Sequence, residues 1–479
     1  MTARRLAAVI LLGAALAGCS AQPSAKSVDP QELAGAITVD AMFTHLRKLQ
    51  EIADSHDGNR AVGSPGYDAS VEYVAEVLRD KGFDVQTPEF ERMGTMRGGN
   101  PALTVSGTNY RVDQASMLVT TAPGGLNAPT LRPGKPSGCA ATDYGSLDIS
   151  GAIAVVDDTG CSVVTKQNTA LAKGAVGLLV VNSGHQPAPG GLFSTGYYRE
   201  LTVPVGVIDE NADAALRRTS APVRLTLDGK AEMVKSRNVT AQTKTGSASD
   251  VVLVGAHLDS IGGGPGINDN GSGVAAVLET ALQLGSSPKV ANAVRFAFWG
   301  AEEMGLDGST QYVRGLPLDQ LDDLALYLNF DMVGSPNAGF FTYDGDQSGQ
   351  ATDPKQMPEG SAGIERTMAG YLNLAGARPA DMPISANTDY HPFLQAGVPI
   401  GGATTGSSQR KTEVQARLWG GRAKVAFDPN YHTRRDTIDN VDAHALGIMG
   451  PAIAFTVGTY ANSIEGPNGV PARDKRHRG

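Results

Sequence analysis

The residues best equipped for chemistry sit just past apolar runs. His257 and Asp259 follow Val-Val-Leu-Val-Gly-Ala, and Asp269 lies in the glycine-rich Gly-Ile-Asn-Asp-Asn-Gly-Ser-Gly. Glu302 and Glu303 are adjacent after Val-Arg-Phe-Ala-Phe-Trp-Gly-Ala, Asp331 follows Leu-Tyr-Leu-Asn-Phe, and His432 stands in Asn-Tyr-His-Thr-Arg-Arg-Asp-Thr. Two imidazoles with several carboxylates make a mixed nitrogen and oxygen donor set, which suits zinc better than magnesium or calcium. The carboxylates outnumber what one tetrahedral zinc needs. Two ions sharing a bridging carboxylate would account for the surplus and leave one glutamate free to act on water. Cys139 and Cys161 are remote from these segments, so a thiolate site is not expected. The sequence has neither the His-Glu-x-x-His helix of single-zinc proteases nor a Gly-x-Ser-x-Gly elbow.

These residues need elements to position them. Residues 251–256 form a short β-branched run, as expected of a strand buried on both faces of a parallel sheet, and 294–299 and 324–330 read the same way. Between the first two, 273–285 has the apolar spacing of an amphipathic helix. Strand, helix, strand is a crossover unit, and open α/β sheets bind ligands beyond the carboxyl ends of their strands. Further helices are expected over 39–55 (opened by Asp40), 67–81 (stopped by Gly82), 364–374 and 443–462, with strands at 83–90 and 397–401. From 102 to 228 glycine and proline become frequent and strands short, with a helix at 169–173. The fold class is therefore α/β: a mixed, largely parallel central sheet flanked by helices, with a small β-rich domain inserted. The expected boundaries are 39–101 and 229–465 for the α/β domain, 102–228 for the insert and 466–479 for a disordered basic tail. His185, in the insert, reads as a surface loop residue, and Asp389 and His391 read as structural.

Residues 1–18 have the build of a secretory signal, with Arg4 and Arg5 ahead of an apolar stretch. The ending Leu-Ala-Gly-Cys resembles a bacterial lipobox. That resemblance implies cleavage before Cys19, diacylation of its sulfur and stable anchoring to the outer face of the cell membrane. Residues 19–38 would then be a lipidated tether. With Cys19 acylated, Cys139 and Cys161 remain as a pair in a compartment where disulfides persist, and are expected to be bonded. The net charge of −9 gives no reason to expect nucleic acid as a partner.

Two family resemblances follow from these motifs. Segments within 128–216, among them Gly-Ala-Ile-Ala-Val-Val-Asp and Val-Pro-Val-Gly-Val-Ile, resemble the protease-associated domain. His-Leu-Asp-Ser, Asp-Asn-Gly-Ser-Gly, Trp-Gly-Ala-Glu-Glu-Met-Gly, Asn-Phe-Asp-Met-Val-Gly and Asn-Tyr-His-Thr, in that order, resemble the secreted co-catalytic di-zinc aminopeptidases of the leucyl-aminopeptidase type. The resemblance implies two zinc ions per chain: His257 and Asp331 on one, Glu303 and His432 on the other, Asp269 bridging. It implies hydrolysis at the free N-terminus of peptide substrates through a metal-bridging water, with Glu302 as general base, by a monomer. It further implies a cis peptide after Asp269. Asp259, two residues beyond His257, is positioned to accept the second imidazole N–H from His257. Tyr431 is similar to a tyrosine that donates to the oxyanion in some members, packing being the alternative. Asp436 reads as a brace for the His432 loop. Some relatives hold that loop with a disulfide at the positions of Asn430 and Arg435, so here its rigidity must come from elsewhere. A carboxypeptidase or dipeptidase on the same scaffold would need cations facing the substrate carboxylate, with Arg378, Arg434 and Arg435 as candidates.

Overall fold

The computed structural model describes residues 27–94, 98–182, 192–193, 197–349, 357–476 and 478. The signal segment 1–18, the lipidation residue Cys19 and His185 lie outside the described residues. The described residues fall into two compact units, one within Met1–Phe90 and Ser236–Gly479, the other within Glu91–Lys235.

The first unit is built on an eight-stranded sheet of β1 (Asp84–Gln86), β2 (Val239–Gln242), β3 (Ser247–His257), β4 (Asn292–Trp299), β5 (Leu324–Phe330), β6 (Phe341–Tyr343), β7 (Ala380–Met382) and β8 (Ile400–Thr404). The spatial order is β1-β2-β4-β3-β5-β8-β6-β7. The central strands β4, β3, β5 and β8 run parallel, whereas β1 and β2 on one side and β6 on the other pair antiparallel with their inner neighbours. Every residue of β5 and the last seven of β3 are buried, which is what covering both faces with helices requires.

The helices that bear on the site are α1 (Pro30–Ala36), α2 (Val39–Asp54), α3 (Pro65–Asp80), α4 (Gly273–Leu284), α5 (Ser361–Leu374) and α6 (Ala443–Asn462). Thr38, not Asp40, caps α2 by accepting from the Ala41 N–H. Gly82 follows α3 with φ +88°, the left-handed end that glycine adopts at little cost. Helix α4 is buried almost all round rather than on one stripe, because α2 and α6 both pack on it.

Several expectations are corrected. The tether does not extend to 38: Asp29 caps a helix begun by Pro30, and Leu33 and Ala34 are buried. The tail is not wholly disordered: Arg473 pairs with Asp323, and Arg476 is buried, donating to Ser249 O, Asp322 O and Asp250. Its basic residues meet Asp250 on β3 and Asp323 just ahead of β5. Residues 83–90 do not form one strand. Pro88 separates β1 from Glu89–Met93, which pairs with Met233–Arg237 where the chain re-enters. For the same reason the inserted unit is wider than 102–228 at both ends.

That unit contains a five-stranded and a four-stranded sheet. Among its described residues the first α-helix is Val163–Ala172, longer than the expected 169–173 and capped by Ser162. Cys139 and Cys161 are joined by a disulfide.

Candidate metal centre and active site

The carboxyl ends of β3, β4 and β5 lie side by side and deliver His257, the Glu302–Glu303 turn and Asp331 to one place. The loop ahead of α4 brings Asp269, and the loop ahead of α6 brings His432. His257 Nε2 lies 3.2 Å from Asp269 Oδ1 and 3.5 Å from Asp331 Oδ1. His432 Nε2 lies 3.2 Å from Asp269 Oδ2 and 3.0 Å from Glu303 Oε2. The two oxygens of Asp269 thus face different histidines, and the residues form two donor groups that share it.

These separations fit zinc. Donors held about 2.0–2.1 Å from one tetrahedral ion stand roughly 3.4 Å apart. Asp331 Oδ1 and Glu303 Oε1 are buried with no hydrogen-bond donor, which is costly unless a cation faces them. His257 Nδ1 lies 3.1 Å from the carbonyl oxygen of Asp259. A carbonyl can only accept, so Nδ1 carries the proton and the Nε2 lone pair is free to ligate. The expected contact from the Asp259 carboxylate is corrected: its Oδ1 is 3.7 Å from that nitrogen and instead accepts the Glu302 N–H at 3.1 Å. A main-chain carbonyl is nearer to the ring, and the carboxylate is left to hold the glutamate turn.

A shell of buried amides and hydroxyls fixes each group. Trp299 Nε1 donates to Tyr327, Tyr327 to Asn329 Oδ1, Asn329 Nδ2 to Thr388, and Thr388 to Asp331 Oδ2, tying the acid to the aromatic core beneath the sheet. The peptide Asp269–Asn270 is cis. The Asn270 amide accepts from Gly273 and Met332 N–H and donates to Phe330 O, joining the bridging loop to the end of β5. Asp436 accepts the N–H groups of Asn268 and Asp269 at 2.7 and 3.0 Å, so its carboxylate braces the bridging loop. The loop without a disulfide is held by hydrogen bonds. Asp428 accepts from Asn430 N–H and from Asn268 Nδ2, and Thr433 donates to Asn430 O.

Sequence reasoning missed Arg60. Its fully buried guanidinium donates to the carbonyls of Leu258, Pro265 and Gly266, clamping the His257 and Asp269 loops together. Burial pulls its pKa down to about 10, still charged at neutral pH. Nothing but its place in Gly-Asn-Arg-Ala-Val-Gly, a loop that composition alone leaves anonymous, marked it. Asp389, read as structural, is buried with neither oxygen donated to, and its charge bears on Glu302. Burial holds its carboxyl up at about 7.

The electrostatics follow from many carboxylates in a dry place. Burial, then the charges of Asp331 and Asp389, push Glu302 well above the usual carboxylate range, although His257 opposes this. Burial raises Glu303 to about 7. Hydrogen bonds donated to Asp269 and Glu303 lift His432 to about 10. Asp269, Glu302, Glu303, Asp331 and His432 open on a cleft of about 490 Å³ whose wall also includes Tyr343, Met382 and Tyr431. Tyr431 stacks on His432 with ring centroids 3.8 Å apart. Among the described residues the cleft wall contains no lysine or arginine, and Arg378, Arg434 and Arg435 are not part of it.

Residues 238–457 match peptidase family M28, and residues 125–216 match the PA domain. The chain is 48% identical over 450 residues to a probable lipoprotein aminopeptidase, LpqL, of Mycobacterium tuberculosis, covering 93% of this chain and 89% of that protein. It is 37% identical to an aminopeptidase of Pseudomonas aeruginosa over 89% of this chain and 81% of that one. Among solved structures, an aminopeptidase from Aneurinibacillus sp. strain AM-1 matches with a TM-score of 0.60 at 22% identity, covering 91% of this chain and 97% of that one. A zinc aminopeptidase from Bacillus subtilis, BSAP, matches with a TM-score of 0.53 at 24% identity, covering 90% and 98%. These two likenesses bear on the fold, which is that of the α/β unit described above. The chain belongs to peptidase family M28 and carries a PA domain in its inserted unit.

Proposed function

We propose that the protein is a zinc aminopeptidase that removes N-terminal residues from peptides. The observation that carries this reading is the pair of donor groups sharing Asp269 in a cleft lined by carboxylates, with no lysine or arginine among the described lining residues. His257 and Asp331 would hold one zinc, Glu303 and His432 a second, and Asp269 both. Zinc at these positions would acidify water and polarise the scissile carbonyl. The chain's own part is to orient and to move a proton. Glu302 belongs to neither donor group and lines the same cleft, its Oε2 3.9 Å from His257 Nε2 and its carboxyl raised by burial. It takes the proton of the attacking water and returns it to the leaving amine. Asp259 holds the Glu302 backbone in register for that transfer. Tyr431, its phenol pushed up by burial and by the Asp269 charge, stays protonated and can donate to the oxyanion.

Substrate end follows from charge. Glu302 and Asp331 favour an α-ammonium by charge-assisted hydrogen bonds, whereas the described cleft wall offers a substrate carboxylate no lysine or arginine to pair with. The lipobox at Cys19 and the kinship with a probable lipoprotein support an extracytoplasmic, membrane-anchored location. The chain acts as a monomer on peptides diffusing to it.

The test is a substrate pair. An aminoacyl-anilide should be cleaved, and an N-acetylated, C-terminally free peptide should not, with chelation abolishing the activity. Preferential cleavage of the blocked peptide would transfer the protein to the carboxypeptidases.

A further inference from the structure

A second acidic cluster lies apart from the catalytic groups. Asp344, Asp346 and Glu365 each offer a carboxylate oxygen, and these oxygens lie within 4.8 Å of one another. Oxygens that share one calcium at about 2.3–2.6 Å can be no more than about 5 Å apart. Asp344 is 2% exposed, and its Oδ1 is buried with no hydrogen-bond donor. A buried, unpartnered carboxylate oxygen is expensive in the absence of a cation. Among the described residues none of the three is in an ion pair with lysine, arginine or histidine. Arg366, the next residue along α5, donates instead to Asn468 and Pro467.

The local chain is shaped for a cation. Asp344-Gly-Asp-Gln-Ser-Gly places oxygen-bearing side chains at alternate positions and a glycine at the sixth, the opening pattern of a calcium loop. Asp344 Oδ2 accepts the Gly349 N–H, and Asp346 Oδ1 accepts that of Ser348, so the loop curls around its own carboxylates. Glu365 reaches in from α5 and accepts the N–H groups of Gly345 and Asp346. Asp381, beside Met382 on β7, receives the Ser348 hydroxyl at 3.3 Å and adds a fourth acid. The donors are all oxygen and no imidazole is present, which favours a hard cation over zinc.

We propose that Asp344, Asp346 and Glu365 bind one calcium ion. Tyr343 and Met382, the immediate neighbours of Asp344 and Asp381, line the substrate cleft, so the ion would pin one of its walls. Burial, then the charges of Asp346 and Asp381, raise Glu365 to about 7, burial also raises Asp344, and the hydrogen bond with Ser348 lowers Asp346. An extracytoplasmic site of this kind would work at roughly 10⁻⁴–10⁻³ M calcium.

The experiment uses the zinc-saturated full-length protein, so that the cleft donors are already filled. Equilibrium dialysis against radioactive calcium should find one ion per chain. Thermal unfolding should shift upward by about 4 °C at free calcium a hundredfold above its Kd. Magnesium at the same concentration should give a much smaller shift, because it demands tighter octahedral geometry. Asp344→Asn with Glu365→Gln should abolish both the bound calcium and the shift while unfolding, without calcium, no earlier than wild type. Asp346→Asn, at an exposed position, is the second variant and should weaken binding at least tenfold. No calcium-dependent shift in wild type, an equal shift with magnesium, or an undiminished shift in both variants would each overturn the proposal.

Discussion

Replacing Glu302 by glutamine separates proton transfer from metal binding. The carboxylate is in neither donor group, and its Oε2 is 3.9 Å from His257 Nε2, beyond hydrogen-bond distance. Glutamine matches its size, so the cleft keeps its shape, and the backbone N–H held by Asp259 is retained. What disappears is the ability to accept a proton from water. Loss of a positioned general base slows turnover by about 10²–10⁴-fold, equivalent to roughly 3–5 kcal/mol in the barrier. The assay is kcat on leucyl-p-nitroanilide together with zinc content on the same preparation. The expected result is a fall in kcat of that size with zinc unchanged. Glu303→Gln should do the reverse in one respect, losing zinc, because Glu303 Oε2 stands 3.0 Å from His432 Nε2 inside a donor group. Near-normal kcat in the Glu302→Gln protein, or loss of zinc from it, would refute the division of roles between the two glutamates.

Asp436→Ala leaves the buried N–H groups of Asn268 and Asp269 without acceptors. It should lower zinc affinity by about 10–100-fold, read by competition with a chromophoric chelator; unchanged affinity would sink the bracing role. Zinc affinity should also rise with pH. In the metal-free site Asp269 and Glu303 raise His432 to about 10, and His257 is raised too, burial opposing but Glu302 and three aspartates prevailing. Zinc must displace those protons, so below about pH 10 each proton released adds roughly one log unit of affinity per pH unit. A flat profile between about pH 6.5 and about pH 8.5, corrected for the chelator, would contradict this. The Cys139–Cys161 bridge closes a loop of sequence separation 22. Removing it by Cys139→Ser with Cys161→Ser should destabilise the inserted unit by about 3 kcal/mol, measured by urea unfolding, whereas an unchanged midpoint would count against it.

What the sequence disclosed and what it hid have physical causes. His257, Glu302 and Asp331 were legible because each ends a strand buried on both faces, and such strands read as unbroken apolar runs. The Asp-Asn-Gly-Ser-Gly loop was legible because so many small and amide residues before a helix imply close backbone approach. Arg60 was not, since a lone arginine in a turn looks solvated until two distant loops close over it. Helix α1 was hidden because seven residues beside a Ser, Ala and Pro-rich stretch gain their helicity from packing on α6, not from propensity. The Asp259 contact was misassigned because alternation along a strand places a side chain on a face without saying whether its carboxylate or its carbonyl comes nearer to the ring.

The central claim is that two ions share Asp269. Zinc content of the purified protein, determined by mass spectrometry of the dissolved metal, tests it most directly. About two zinc ions per chain are expected, falling to about one in Asp331→Ala or Glu303→Ala and to none in Asp269→Ala. One zinc or none in the wild-type protein equilibrated with excess metal, or two retained after Asp269→Ala, would contradict the account.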